Sequence, residues 1–268
     1  MKIRAGHEIV FDCPAPIPML LMLNIHPSRE MDLLSEHRLT VDPPVPTTDY
    51  NDSFGNRCTR VLAPPGRFSI TTDFLIRDYG TPDVIPYGAQ QTPVEDLPAD
   101  ILVFLLGSRY CETDRLSETA LALFGHVPRG WPLVQAICDF VYDRIIFDYT
   151  AARPTKTAWD AFMEQRGVCR DFAHLAVTFC RCMNIPARYC TGYLGDIGIP
   201  LSPDPMDFSA WFDVYLGGRW YTCDARHNHP RIGRILMARG RDATDVAMTT
   251  TFGTCILAGF TVITDLVQ

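Results

Sequence analysis

Gly167-Val168-Cys169-Arg170-Asp171-Phe172-Ala173-His174 is the stretch of sequence that decides the fold. Apolar side chains recur at helical spacing within it and beyond it: Phe172, Leu175, Ala176, Phe179 and Met183. This spacing predicts a buried helix that begins near Cys169 and ends before Pro186, because the residue before a proline disfavours helical conformation. The thiol of Cys169 is then expected at the positive end of the helix dipole, which favours its thiolate form, and beside backbone N–H groups without a partner in the helix.

A hairpin follows the helix in the chain. Residues 210–216 alternate as a strand, Gly217-Gly218 form a turn, and residues 219–224 read as the second strand. If Leu216 pairs with Arg219, position 209 becomes a diagonal neighbour of Asp224 on one face of the sheet. That position holds Ser209, and Asp213 shares its face as a further candidate site residue.

The first third of the chain reads as β structure. Five short segments rich in β-forming residues are separated by proline and glycine: 2–11, 18–25, 38–41, 56–62 and 67–76. They predict a small β-sandwich, followed by a proline-rich connector over 79–98. The middle of the chain predicts helices over 98–109, 116–124 and 157–165, and one that opens at Trp131-Pro132.

The block around Cys169, the later Asn184-Ile185-Pro186-Ala187-Arg188-Tyr189 and the hairpin from Ala210-Trp211 to Asp224 together resemble the transglutaminase-like superfamily. The resemblance implies a papain-like core that carries a Cys-His-Asp triad and transfers or hydrolyses acyl groups. The β-rich N-terminus is similar to the extra domain of many bacterial members. We therefore predict an α+β protein, with an N-terminal β-sandwich over 1–85 and a transglutaminase-like core, helices packed on an antiparallel sheet, over 86–268.

The resemblance assigns two members of the triad by position. Cys169 matches the nucleophile and Asp224 the orienting acid, but the position of the family's histidine holds Ser209. Serine cannot accept a proton near neutral pH, so a substitute base is needed. We predict His227 for that role, provided that the chain bends after Asp224. The predicted catalytic residues are Cys169, Asp224 and His227, and the predicted lining residues are Ser209, Trp211 and Arg170.

Three functions compete at this point. The first is a cysteine-dependent acyl transferase, peptidase or amidase that attacks an amide, peptide or isopeptide carbonyl and forms a thioester on Cys169. The second is a non-catalytic binding module with the same fold, favoured by Ser209. The third is a redox or metal-binding thiol protein, suggested by Cys180, Cys182 and Cys190 but weakened by the lack of a C-x-x-C pair. We predict no cofactor and no metal.

Composition indicates which binding partners and which cellular compartment to expect. The chain has 268 residues, 47% of them hydrophobic, and a net charge of −7, which disfavours nucleic acid and anionic membranes. The expected partner is a peptide or protein amide substrate. The polar N-terminus has no secretory apolar region, so the ten cysteines are expected to be thiols of a bacterial cytoplasmic protein. The sequence does not predict the oligomeric state.

Overall fold

A computed structural model describes residues 1–201 and 205–267. The first third forms six strands: β1 Lys2–Cys13, β2 Ile17–Leu21, β3 Thr40–Asp42, β4 Thr47–Asn51, β5 Arg57–Ala63 and β6 Gly66–Arg77. Alternate side chains of β6, from Phe68 to Ile76, point into the core, as expected for strands that are covered on one face. The predicted N-terminal sandwich is consistent with these sheets.

The middle of the chain is helical. Its elements are α1 Thr113–Phe124, α2 Trp131–Arg144, β7 Ile146–Phe147, α3 Ala158–Glu164, β8 Arg166–Gly167 and α4 Cys169–Cys182. The helix predicted over 98–109 is wrong, because only a 3₁₀ turn forms there, at Leu102–Leu105. Its Phe104 packs edge-on against Trp220, with 5.3 Å between the ring centroids. Ile101, at the N-cap position of this turn, makes no side-chain hydrogen bond to it, so the stretch lacks a cap that would stabilise a longer helix.

The remaining strands are β9 Ala187–Tyr193, β10 Ser209–Leu216, β11 Arg219–Cys223, β12 Ile235–Gly240, β13 Thr249–Thr251 and β14 Ile256–Val267. One antiparallel sheet has the strand order β11-β10-β9-β12 and packs against α4. The α+β prediction is therefore confirmed. Within the described residues, no helix is long and apolar enough to cross a lipid bilayer.

The two last strands return to the N-terminal sheets. β14 pairs with β1 in the sheet of order β14-β1-β6-β3, and β13 pairs with β2 in the sheet of order β13-β2-β5-β4. Both strands lie within 86–268, the range predicted for the core domain, and pair with strands of the predicted N-terminal sandwich. The division near residue 85 stays a prediction. A pairing between chain ends leaves no local pattern in the sequence, because its partner is more than 200 residues away.

The helix α4 lies at the centre of a hydrophobic core that the helices form with β10. Nearly all of its side chains after the first turn are buried, and it contacts α1, α2, α3 and β10. Phe179 is fully buried and packs edge-on against Phe124, Phe140 and Phe162, with ring centroids 5.3–6.1 Å apart. This packing fixes α4 in the core, and the helix also contacts β10, the strand that begins at Ser209.

Candidate active site

Cys169 is the first residue of α4, and the start of that helix is closely defined. The backbone N–H of Val168 donates to the Asp171 carboxylate at 2.9 Å, a side-chain cap of the first turn. Gly167 allows this cap, because a Cβ at that position would lie 2.5 Å from Oδ2 of Asp171. The cap therefore depends on a glycine two residues before the nucleophile candidate.

Replacing Gly167 with alanine is expected to lower the free energy of unfolding by about 1–3 kcal/mol, the usual cost of overpacking. It should also slow the chemistry of Cys169, because the cap that positions the helix start is displaced. Gly88→Ala is the control, since nothing lies within 4 Å of a Cβ there. Equal denaturation midpoints for the two variants would contradict the assigned cap.

The thiol of Cys169 opens onto two cavities. One, of about 140 Å³, also contains Arg226 and His227 in its wall, and the other, of about 360 Å³, contains Arg153 and Arg170. The residue is half-buried, but its sulfur is well enclosed. The nucleophile candidate is thus accessible from two sides of a cleft.

Burial raises the pKa of the Cys169 thiol to about 11, despite the opposing positive charge of Arg226. The sequence predicted a thiolate favoured by the helix dipole, and this expectation needs correction: desolvation of the sulfur outweighs the positive groups around it. At neutral pH the group is therefore a thiol, and its attack on a carbonyl requires a base that removes the proton.

We expect the alkylation rate of Cys169 by iodoacetamide to rise about tenfold per pH unit from pH 7 to pH 10. Below the pKa of about 11, the reactive thiolate fraction grows tenfold with each unit. Mass spectrometry of the Cys169 peptide gives the rate, with glutathione as the reference thiol. A plateau near pH 8.5, the range of an ordinary thiol, would contradict the desolvated environment.

Asp224 and His227 form a hydrogen-bonded pair beside this cleft. The predicted register of Leu216 with Arg219 occurs, but the ladder of β10 and β11 ends one residue before Asp224. There the carboxylate accepts the N–H groups of Arg226 and His227 at 3.0 and 3.1 Å and turns the chain. The turn brings Nδ1 of His227 to 2.9 Å from Oδ2 of Asp224. His227 thus lies in the wall of the cavity that Cys169 lines.

Arg234 binds the same oxygen of the Asp224 carboxylate as His227 does. Its Nη2 donates to Oδ2 of Asp224 at 2.8 Å, while its Nε donates to Asp83 at 2.9 Å. Burial by itself would raise the pKa of Asp224, but Arg234 and then His227 outweigh it and keep that pKa well below its usual range. The ionised carboxylate has only acceptor oxygens, so Nδ1 of His227 donates to it, and Nε2 is the ring nitrogen that can act as a base.

Sequence reasoning missed Arg234 and Asp83. Asp83 lies in the proline-rich connector, 151 residues from Arg234 in the chain, and its Oδ2 also accepts the N–H of Arg231. Neither residue belongs to a recognisable motif. A lone arginine or aspartate gives no signal of a pairing at such a separation.

The predicted lining residues have different positions. Ser209 borders both cavities of Cys169, is buried, and its Oγ has no hydrogen-bond partner in the part of the chain that the structure describes. Arg170 borders the larger cavity and donates to the carbonyl of Arg153. Trp211 packs behind the site, with the Arg234 guanidinium 5.0 Å from its ring centre. Ser209 and Arg170 are therefore close to the thiol, and Trp211 supports Arg234.

Asp213 is a structural residue. Its carboxylate pairs with Arg188 at 2.8 Å, accepts the hydroxyl of Thr222, and is buried. The Arg188 guanidinium also covers the ring of Trp220, 4.1 Å from its centre. The candidate site role of Asp213 is corrected to an ion pair that ties β9 to β10, on the pattern of cross-strand pairs.

His174 has its own partners in the core. It stacks on Tyr110 and its Nε2 accepts the N–H of Ala243 at 3.1 Å, while burial lowers its pKa to about 3. All ten cysteines are free. Within 1–201 and 205–267, no three His, Cys, Asp or Glu side chains are grouped so that they could hold a metal ion.

Comparison with known proteins agrees with this architecture. Residues 128–225 match the family model described as the transglutaminase-like superfamily. An uncharacterized protein of Mycobacterium tuberculosis (strain ATCC 25618 / H37Rv) is 30% identical over 235 residues, which are 78% of this chain and 73% of that protein. An uncharacterized protein of Mycobacterium leprae (strain TN) is 37% identical over 91 residues, which are 33% of this chain and 32% of that protein.

A solved structure covers almost the whole chain. A protein from Cytophaga hutchinsonii, provisionally assigned as a cysteine protease, superimposes with a TM-score of 0.86 at 30% identity over 99% of this chain and 90% of its own. The fold, the helix that begins with a cysteine and the matched segment define one class. The chain belongs to the transglutaminase-like superfamily.

Proposed function

We propose that this chain is a cysteine-dependent acyl transferase or hydrolase that acts on an amide, peptide or isopeptide carbonyl through a Cys169 thioester. One observation carries the proposal: His227, bound through Nδ1 to Asp224 at 2.9 Å, borders the same cavity as the thiol of Cys169. A thiol, a base and a carboxylate that orients the base are the parts of a catalytic triad. The base comes from the turn after β11 instead of from position 209.

The chemistry follows from the resting state of the thiol. As Sγ of Cys169 attacks the carbonyl carbon, His227 takes its proton on Nε2, and the carbonyl oxygen becomes an oxyanion. The backbone N–H of Cys169, at the first position of α4, has no carbonyl four residues back within the helix and can donate to that oxyanion. The intermediate collapses to a thioester, and His227 returns the proton to the departing amine. Water or a second amine then cleaves the thioester.

A second candidate is a binding module with the same fold. Two observations favour it: Ser209 at the family's histidine position and the protonated state of Cys169 at neutral pH. A module of this kind needs the cleft but no nucleophile. The two functions therefore differ in whether Cys169 becomes acylated.

Acylation by p-nitrophenyl acetate distinguishes them. The enzyme should release a burst of one nitrophenol per chain and carry the acetyl group on Cys169, as located by peptide mass spectrometry. Cys169→Ala should remove the burst, while Cys182→Ser, at another half-buried thiol, should leave it unchanged. Acetylation spread over several cysteines without a burst would favour the binding module. Cytoplasmic location and a peptide or protein amide substrate remain part of the proposal.

A further inference from the structure

The guanidinium of Arg226 lies in the wall of the smaller cavity and stacks on an aromatic ring. Its Cζ lies 3.8 Å from the ring centre of Phe147, so the planar group is held by an aromatic face. In the described part of the chain, this side chain has no hydrogen-bond or ion-pair partner. Its N–H groups are therefore available to a ligand in the cavity that Cys169 also borders.

Three neighbouring arginines near the Cys169 thiol already bind other groups of the protein. Arg234 binds Asp224 and Asp83, Arg153 binds Glu164, and Arg170 donates to a backbone carbonyl. Their guanidinium groups hold the protein together around the cleft. Arg226 differs from them, because aromatic stacking fixes its position while leaving its donors free.

A second arginine points to the same ligand chemistry. Arg231 also borders the small cavity, is 3% exposed, and has a buried Nε without a partner within the described residues. Its Nη2 donates to the carbonyl of Gly195, a neutral acceptor that does not compensate the positive charge of the guanidinium. Arg231 thus adds a second positive charge to the wall of the cavity, while Arg226 is the guanidinium whose N–H groups can reach a ligand there.

The cavity also has acidic side chains, but they do not remove its preference for a negatively charged ligand. Asp196 and Asp207 also border it, but the Asp207 carboxylate accepts the N–H of Phe208 at 2.7 Å. Burial raises the pKa of Asp207 and the charge of Arg226 opposes that rise, but no hydrogen bond or ion pair joins the two side chains within the described residues. A planar guanidinium with free donors is the group that binds carboxylates in two-point fashion.

We propose that the cavity with Arg226 and Arg231 is a subsite for a carboxylate of the acyl substrate. The substrate is then an acidic peptide or amide, in which a carboxylate lies within a few bonds of the carbonyl that Cys169 attacks. This inference rests on the proposed function, since it assigns the specificity of the same nucleophile. Arg226 is the direct carboxylate ligand, and Arg231 adds positive charge behind it.

Two alkylating reagents of equal size test the subsite. Iodoacetate carries a carboxylate and iodoacetamide a neutral amide, and both attack the same thiolate. Their rate ratio at Cys169 is measured at pH 9 by peptide mass spectrometry and divided by the ratio for glutathione. The thiolate fraction cancels in this ratio, so any effect of Arg226 on the pKa of Cys169 drops out.

The wild-type protein should prefer iodoacetate, and Arg226→Gln should lower the normalised ratio about tenfold, the usual size of a charge-assisted hydrogen bond. Arg219→Gln is the matched control, because Arg219 also stacks on an aromatic ring, 4.7 Å from the centre of Tyr221, but is exposed on the hairpin. It should keep the wild-type ratio.

The outcomes separate this inference from the proposed function. A Cys169 that reacts with both reagents but shows the same ratio in wild type and Arg226→Gln would overturn the carboxylate subsite alone. A Cys169 that is acetylated in the burst assay and also prefers iodoacetate would support both. An equal loss of preference in Arg219→Gln would show a general charge effect and would also overturn the subsite.

Discussion

Replacing His227 with glutamine is expected to slow the acylation of Cys169 by about 10²–10⁴-fold at neutral pH, the usual contribution of a positioned general base. The Cys169 thiol has a pKa of about 11, so only about one molecule in ten thousand carries a thiolate at pH 7. Without a base, the reaction depends on that fraction. The measurement is the burst rate with p-nitrophenyl acetate.

His229→Gln is the control for this prediction. His229 lies two residues further along, is exposed, and contacts the backbone carbonyl of His227 at 2.7 Å. Its loss should change the burst rate by less than about threefold. The unfolding midpoints of both variants should stay close to that of the wild-type protein, since neither imidazole is fully buried. Equal burst rates in His227→Gln and wild type would remove His227 from the mechanism.

Replacing Arg234 with glutamine is expected to lower the free energy of unfolding by about 3–5 kcal/mol, the cost of leaving a buried charge without its partner. Arg234 is nine-tenths buried between Asp224 and Asp83. The variant should also slow acylation, because Asp224 would lose the contact that holds its carboxylate toward His227. Chemical denaturation and the burst assay measure the two effects.

Arg188→Gln is the matched control for Arg234. Arg188 forms a buried ion pair with Asp213 at 2.8 Å on the same sheet, but away from Cys169. Both variants should lose comparable stability, and only Arg234→Gln should lose acylation at temperatures where both are folded. If the two variants lose activity in parallel, Arg234 supports the fold without positioning the site.

The stability effect of Arg234 should depend on pH in a defined direction. The folded-state pKa of Asp224 lies below its unfolded value of about 3.9, so ionised Asp224 adds stability that is complete above that value. This contribution is lost as the pH falls through the folded-state pKa. The difference between wild type and Arg234→Gln should therefore shrink as the pH is lowered below about 4.

Several features of the site could be read from the sequence. The helix beginning at Cys169 follows from the spacing of Phe172, Leu175 and Phe179, and the hairpin register follows from Gly217-Gly218. His227 was chosen on the condition that the chain bends after Asp224, and the structure has that bend. Its catalytic role stays a prediction. These features depend on residues close together in the chain, whose geometry is set by local backbone preferences.

Other features of the site could not be predicted from the sequence. The sequence favoured a stabilised thiolate at Cys169, because a helix N-terminus can be recognised locally while the burial of its sulfur cannot. The role of Asp83 could not be found either, since the proline-rich connector contacts Arg234 only after the chain has folded. Ionisation depends on every group that packs around a side chain, and these groups come from distant segments.

The sequence alone determined the start of α4 and the turn of the hairpin, because helical periodicity and a Gly-Gly turn act over a few residues, and its resemblance to a known family indicated the class of fold. Only the tertiary structure decided that β14 joins the N-terminal sheet, that Arg234 holds Asp224, and that Arg226 stacks on Phe147 in the wall of a cavity that Cys169 also lines. Those arrangements join segments far apart in the chain, and the free energy that selects among them comes from burial and charge pairing in the assembled core.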